Sequence, residues 1–332
     1  MSDLAKALKN EIVQVGKRLY SQGLAVAKSG NISAKLDDEN ILITAGGTFL
    51  GSLVPDDIVK VNINTEKTED SKPASSELPL HSLVYKNFDS KVVIHCHPPL
   101  INGYFAVSSS LKALTFETKF YLGKIPVVKQ DTPTVTKPDE VIEALKTNNL
   151  VVLKNHGAVA ISDNFNEALA LIEALEEAVR TAALARLFDK DVLDELDKPL
   201  KNKLEADKAY PMFSAEHIKA IVDLVNKDEF ISQKGQELDL TVKLAITLEG
   251  SDKSYKFNFE KGKIVKLDYD KDAPFVISAS ADIWRQVFQG ELDPFVAVTQ
   301  GRINLSGQLG QLSRWYVPFS RLFELFKQVK FK

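Results

Sequence analysis

Between residues 3 and 23, Leu4, Leu8, Ile12, Val13, Val15, Leu19 and Tyr20 recur at the spacing that lines one stripe of a helix, and Gly23 stands where a glycine would end it. The period then shortens. Ile41-Leu42-Ile43-Thr44 and, after a Pro/Asp turn, Ile58, Val59, Val61 and Ile63 predict strands. SSELPLHSLVYKNF predicts a helix from Ser75 or Ser76, and residues 91–95 a strand. Further strands at 125–128 and 150–153 flank a helix opening on Pro138, whose Asp139 and Glu140 suit a helix N-terminus. A long helix over 165–188 carries Phe165, Leu169, Ile172, Leu175, Val179, Ala182 and Leu187 on one face, with Asp163 or Asn164 as its N-cap. Alternating strands and helices make this part α/β.

The pattern changes after a charged stretch at 189–210, so two domains are expected, 1–210 and 211–332, a division that suits 332 residues. Beyond a helix at about 214–227, Leu240, Val242, Leu244, Ile246 and Leu248 alternate strictly, as do Tyr255, Phe257 and Phe259, and a third strand follows Gly262. This meander leads to a fourth strand (FVISAS), a helix (ADIWRQVFQG), a fifth strand (GRINLSG) and a closing amphipathic helix, an α+β arrangement.

Composition removes several function classes. A net charge of -3 from 42 basic and 45 acidic residues, interspersed along the chain, gives no electropositive footprint for nucleic acid or an anionic membrane. A single cysteine, Cys96, excludes an intramolecular disulfide and a cysteine-based zinc knuckle. The charged N-terminus and the lack of any eighteen-residue apolar run predict a soluble, cytoplasmic protein without an integral membrane segment.

The five histidines are more informative. His95 and His97 bracket Cys96 on a predicted strand, so their side chains share one face. His156 follows another apolar strand and precedes Gly157, where the chain must turn. Each alone reads as a satisfied core or surface histidine. Together they are the three imidazoles that catalytic zinc commonly uses, at about 2.0–2.1 Å, with a position left for substrate. Cupins, carbonic anhydrases and amidohydrolase barrels share such a set, but the helix upstream of His95 disfavours a cupin, and the chain is short for a barrel with further metal-binding aspartates.

Glu77 stands at the N-terminus of the helix after Ser75 and Ser76, where a carboxylate can be a simple dipole partner. Nearby, Ser29-Gly30-Asn31, Gly46-Gly47-Thr48 and Ser75-Ser76 supply small side chains and backbone N–H groups able to cradle a phosphate without a lysine.

Through KSGNIS, ILITAGG, SSELPLH, VVIHCHPP and LKNHGAVA, residues 1–205 resemble the class II aldolase/adducin family. The resemblance implies a three-layer α/β/α domain, usually assembled as a cyclic homotetramer with sites near subunit interfaces. It implies zinc on His95, His97 and His156, Glu77 as catalytic acid/base, and a phosphorylated sugar held by Gly30, Asn31, Gly46, Gly47, Ser75 and Ser76. The implied reaction is an aldehyde-lyase cleavage through an enediolate, with 4-epimerases, dehydratases and the metal-free adducins as relatives. Two departures stand out. Phe116 occupies the place of the tyrosine that protonates the aldehyde, leaving Tyr121 or Glu117 as substitutes, and Thr44-Ala45-Gly46-Gly47 replaces a proline-serine turn.

Residues 214–332 resemble the sterol-carrier-protein lipid-transfer family through ADIWRQVFQGELDP and GRINLSG, implying a five-stranded sheet covered by helices around an apolar tunnel for a hydrophobic ligand. Trp284, Phe288, Phe295, Trp315, Phe323 and Phe326 read individually as core, and His217 reads as a lone exposed residue on a helix. A non-enzymatic scaffold that oligomerises through the first half and carries a lipid in the second is the contrasting expectation.

Overall fold

The computed structural model describes residues 2–188 and 209–332, apart from Glu69, Asp131, Pro133 and Thr136. The chain clusters into two units, Met1–Asp197 and Lys198–Lys332. Most of the charged stretch, 189–208, lies outside the described residues.

In the first unit eight strands share one sheet: β1 (Asn31–Lys35), β2 (Asn40–Thr44), β3 (Ile58–Asn62), β4 (Lys67–Thr68), β5 (Val92–Cys96), β6 (Val127–Lys129), β7 (Leu150–Lys154) and β8 (Gly157–Ser162). Their spatial order is β4-β3-β2-β1-β5-β8-β7-β6. Only β6 and β7 pair in parallel; the other neighbours are antiparallel. The helices are α1 (Asp3–Ser21), α2 (Leu78–Asn87), α3 (Pro99–Val107), α4 (Phe116–Leu122), α5 (Pro138–Leu145) and α6 (Phe165–Phe188).

Alternation along the strands builds a core on each face. Ile32, Ala34, Val92, Ile94, Cys96, Val152 and Ala160 pack with residues of α1, α3 and α6. Val93, Val151, Leu153, Val159 and Ile161 pack with residues of α2 and α5. The three-layer α/β/α architecture expected from the sequence is thus present.

Local chemistry explains the helix ends. Gly23 takes φ +72°, and the Leu24 N–H returns to the Leu19 carbonyl to close α1. Of the two candidate caps on α6 it is Asn164 that accepts, from the Glu167 N–H at 3.0 Å. Helices α3 and α4 have no clear periodic signature. The start of α3 is capped by buried Glu176 of α6, which accepts from the Leu100 and Ile101 N–H groups at 3.3 and 3.1 Å across about 75 positions of sequence.

In the second unit, β9 (Val242–Leu248), β10 (Ser254–Glu260), β11 (Lys263–Asp268), β12 (Phe275–Ala279) and β13 (Asn304–Ser306) form the expected five-stranded sheet, ordered β11-β10-β9-β12-β13. It carries α7 (Ala215–Lys227), α8 (Glu229–Glu237), α9 (Ala281–Gln289), α10 (Pro294–Thr299) and α11 (Tyr316–Phe326). The aromatic residues expected in the core are all buried. Both indoles have partners: Trp284 Nε1 donates to the Thr247 carbonyl and Trp315 Nε1 to the Leu238 carbonyl.

His217 corrects the sequence expectation, because it is wholly buried between the Phe288 and Phe331 rings. It shares the inward stripe with Ile221 and Val225, at i+4 and i+8. The Phe213 N–H donates to its Nδ1, and burial holds its pKa down at about 4.

Asp228 accepts two hydrogen bonds from the Arg321 guanidinium, both residues buried, and also caps α8 through the Ile231 N–H. Removing one partner leaves the other charge buried and unpaired. Asp228→Ala is expected to lower the stability of the second unit by about 3–5 kcal/mol. Lys327→Ala, which removes a solvent-exposed pair with Glu324, should change it by less than about 1 kcal/mol. The chain's two tryptophans, Trp284 and Trp315, both lie in this unit, so urea unfolding followed by tryptophan fluorescence reads it selectively.

Candidate active site

Antiparallel pairing places Asn31 opposite His95, and Val159 opposite His95 on the other side. Because side chains alternate, Cys96 enters the core under α1 and α6 while His95 points to the opposite face, with His97 one residue past the strand end. His156 is brought in by the tight turn between β7 and β8. There Asn155 takes the left-handed conformation (φ +67°), and the His156 N–H closes on the Leu153 carbonyl at 2.9 Å. Gly157 is required by close approach, since a Cβ there would meet the Cys96 carbonyl and lie 2.9 and 3.1 Å from the His97 and His95 rings.

The three imidazoles converge. His95 Nε2 lies 3.0 Å from both the His97 and the His156 Nε2. Among the described residues this is the one group of three or more potential ligands within 4.8 Å of one another. The Nδ1 of His95 donates to the Ala158 carbonyl at 3.0 Å, which leaves its Nε2 as a bare lone pair. Burial lowers the pKa of all three, that of His97 to about 4, with mutual proximity adding to the effect for His95 and His97. His95 thus presents a lone pair 3.0 Å from the other two Nε2 atoms, which present theirs as well in the tautomer that carries the hydrogen on Nδ1, the form that binds a cation. Three nitrogens on one tetrahedral zinc would stand about 3.3 Å apart, so the donor set fits such an ion closely.

Glu77 is buried beside them, its Oε1 3.9 Å from His156 Nε2. Its carboxylate accepts from the Val135 N–H at 3.2 Å. Burial raises its pKa, partly opposed by that hydrogen bond. Helix α2 begins at Leu78, later than the sequence suggests, so Glu77 is the residue preceding its first turn.

A pocket of about 150 Å³ joins these groups to the small-residue turns. Gly30, Asn31, Gly46, Gly47, Ser75 and Ser76 all line it together with Glu77 and the three histidines. The turns are held by their own hydrogen bonds. The Gly46 N–H donates to the Pro73 carbonyl and the Ser75 N–H to the Thr44 carbonyl, so these two amides are already engaged. Gly47 (φ +75°) and Ser76 keep backbone N–H groups without a partner among the described residues.

Tyr121 and Glu117, the two substitutes for the missing tyrosine, are the candidates that the fold does not bring to the pocket. Both lie on α4, Tyr121 49% exposed, with Phe116 of the same helix 60% exposed. Sequence reasoning missed Lys28, which lines the pocket together with Ser29 and Thr48 of the small-residue turns. Lys28 sits at its mouth, its Nζ 5.4 Å from the centroid of the Phe49 ring. Its position two residues before Gly30 was the available signal.

Comparison with known proteins agrees with this geometry. Residues 10–183 match the family model of the class II aldolase and adducin N-terminal domain, and residues 231–315 that of the SCP-2 sterol transfer family. An L-fuculose phosphate aldolase of Methanocaldococcus jannaschii is 30% identical over 183 residues, 55% of this chain and 99% of that protein. A 3-oxo-tetronate 4-phosphate decarboxylase of Escherichia coli is 29% identical over 190 residues, 54% of this chain and 89% of that protein. The crystal structure of an L-fuculose-1-phosphate aldolase from Thermus thermophilus superposes with a TM-score of 0.50 at 28% identity, covering 58% of this chain and 98% of that one. With its layered fold, its histidine cluster and a matching family model over more than half its length, the chain belongs to the class II aldolase and adducin family, joined here to an SCP-2-type unit.

Proposed function

We propose that the first unit is a metal-dependent aldehyde-lyase that breaks or forms a carbon–carbon bond in a small phosphorylated sugar, and that the second unit holds an apolar ligand. The observation carrying the first part is the pocket in which three converging imidazole nitrogens, one buried carboxylate and a set of hydrogen-bond donors meet. Zinc is the ion proposed for His95, His97 and His156; when bound it supplies Lewis acidity to an oxygen gaining negative charge.

The chain's own residues do the rest. The Gly47 and Ser76 N–H groups, the Asn31 amide and the Ser75 and Ser76 hydroxyls hold the phosphate, while Gly30 and Gly46 let two turns approach closely. Glu77, kept in place by the Val135 N–H, exchanges a proton with the substrate carbon adjoining the bond that breaks. Retro-aldol cleavage also needs a proton taken from the hydroxyl that becomes the aldehyde, and among the described residues no second carboxylate or phenol lines the pocket. We assign that step to Tyr121 of a neighbouring copy, so homo-oligomeric assembly, as a tetramer, is part of the proposal. The aromatic interior of the second unit and its SCP-2 match support an apolar ligand there, with the two parts dividing near residue 210.

The position of Tyr121 outside the pocket also favours a second reading. Decarboxylation of a phosphorylated keto acid needs one proton, returned to carbon, and Glu77 alone can supply it. Product analysis on a panel of ketose phosphates and phosphorylated keto acids separates the two: cleavage releases two fragments, decarboxylation releases CO₂, and epimerisation or dehydration keeps the carbon chain whole.

Glu77→Gln should retain about one metal ion per chain and lose about 10²–10⁴-fold in kcat. Gly157→Ala, whose Cβ would press on the Cys96 carbonyl and on the His97 and His95 rings, should drop metal content well below one per chain with the circular dichroism spectrum still that of a folded protein, read by elemental analysis after dialysis. A wild-type chain that stays metal-free after reconstitution would instead favour the scaffold. Mixing the separately inactive Glu77→Gln and Tyr121→Phe proteins under exchange of subunits should restore activity, because hybrid interfaces then contain both native groups; no recovery places Tyr121 outside the reaction.

A further inference from the structure

The face of β1 that carries Asn31 also carries Ser33, since Ile32 and Ala34 turn into the opposite core. Above it, α2 presents His81 and Tyr85, four residues apart and so on one side of the helix. The His81 ring bridges the strand residues, with Nε2 2.6 Å from Asn31 Oδ1 and Nδ1 2.6 Å from Ser33 Oγ. Ser33 Oγ lies 2.8 Å from the Tyr85 hydroxyl. All four residues are buried.

Hydrogen-bond arithmetic gives this relay one direction. The Asn31 oxygen can only accept, so His81 Nε2 carries the hydrogen and donates. Burial holds the His81 pKa down at about 3, so the ring has one hydrogen and its Nδ1 accepts. Ser33 gives its single hydrogen to Nδ1 and accepts from Tyr85. Tyr85, whose hydroxyl has Ser33 Oγ as its hydrogen-bond partner, spends its own hydrogen there. In the reverse direction the Tyr85 hydrogen would be left without an acceptor in a closed interior, which costs about 1–3 kcal/mol. The Asn31 oxygen is therefore occupied, and its NH₂ is the part left for the pocket that Asn31 lines.

We propose that His81, which does not line the pocket, is a positioning residue that locks the Asn31 amide with its NH₂ toward the pocket, making that wall a donor for a phosphate oxygen. The inference rests on the reading of the pocket as a phosphate site. An asparagine free to rotate presents oxygen or nitrogen alike; one fixed in this sense suits a group composed only of acceptors, as a phosphate dianion is.

The test uses the full-length, metal-loaded protein and inorganic phosphate as probe, its Kd read by competition or ³¹P NMR, alongside KM and kcat on any substrate found. His81→Phe keeps a ring and removes both nitrogens; it should raise the phosphate Kd and KM about tenfold or more, with metal content unchanged and kcat within about threefold. His81→Gln, whose amide can still donate to Asn31, should recover most of the loss. In an Asn31→Ala background, His81→Phe should add nothing further, as expected for a residue acting only through Asn31. An unchanged Kd in folded His81→Phe, or losses that multiply in the double variant, overturns the proposal. Should His81→Phe fail to accumulate, Ser33→Ala carries the same test: it removes the hydrogen that fixes the ring tautomer, so the Kd should rise severalfold, and an unchanged Kd overturns the assignment. Because binding is read without turnover, a wild type that binds phosphate but cleaves nothing defeats the lyase reading alone. A wild type that binds no phosphate defeats this inference.

Discussion

The register of β5 between β1 and β8 is the constraint on which the site depends. Asn31 faces His95 across one ladder and Ala158 faces Cys96 across the other. A slip of one residue would send the His95 imidazole into the apolar layer under α1 and α6 and bring Cys96 to the pocket. The apolar residues on both faces oppose that slip: Ile94 and Cys96 fill one core and Val93 the other, all fully buried. The site thus inherits its precision from the two cores, and the loops only have to supply turns.

The same register requires polar groups inside a largely aliphatic layer. Ser33, His81 and His95 are buried on the face where Val93, Val151 and Val159 pack. Each unsatisfied polar atom there would cost about 1–3 kcal/mol, which is why the network closes on itself and on the backbone. His95 uses the Ala158 carbonyl and Glu77 the Val135 N–H, so the groups facing the pocket are anchored from behind by bonds that leave the reactive atoms exposed to it.

Much of this was legible in the sequence because it depends on short-range pattern. Period-two alternation located the strands, glycines such as Gly157 after His156 located turns, and the HCH spacing put two imidazoles on one face. What stayed hidden depends on distant partners. The cap of α3 comes from Glu176, and the orientation of Asn31 comes from His81, 50 positions later in the chain. His217 is a different case: its spacing with Ile221 and Val225 was visible, but a histidine at the edge of a helical stripe gives no sign that Phe288 and Phe331 will close over it. Tyr121 stands half exposed on α4 and outside the pocket, so neither the sequence nor a single chain places it beside Glu77.

Charge explains why neutral donors dominate a pocket proposed to take a phosphate ester. Burial keeps the three imidazoles neutral, so the fixed formal charges on its lining are Lys28 and Glu77. A dianion about 5 Å from Glu77, at an effective dielectric of about 20, meets roughly 3 kcal/mol of repulsion per unit of its charge. Lys28 offsets little of this, since it is exposed at the mouth, where solvent and salt screen it and it acts on encounter more than on grip. A divalent cation on the imidazoles would add two positive charges inside the same low-dielectric wall and reverse the sign of the field. Neutral N–H groups then need only orient the anion, which they do without making the ion-free pocket strongly attractive to every anion in solution. On this argument the proposed ion precedes the substrate, and affinity for the phosphate and occupancy of the histidine cluster are coupled quantities.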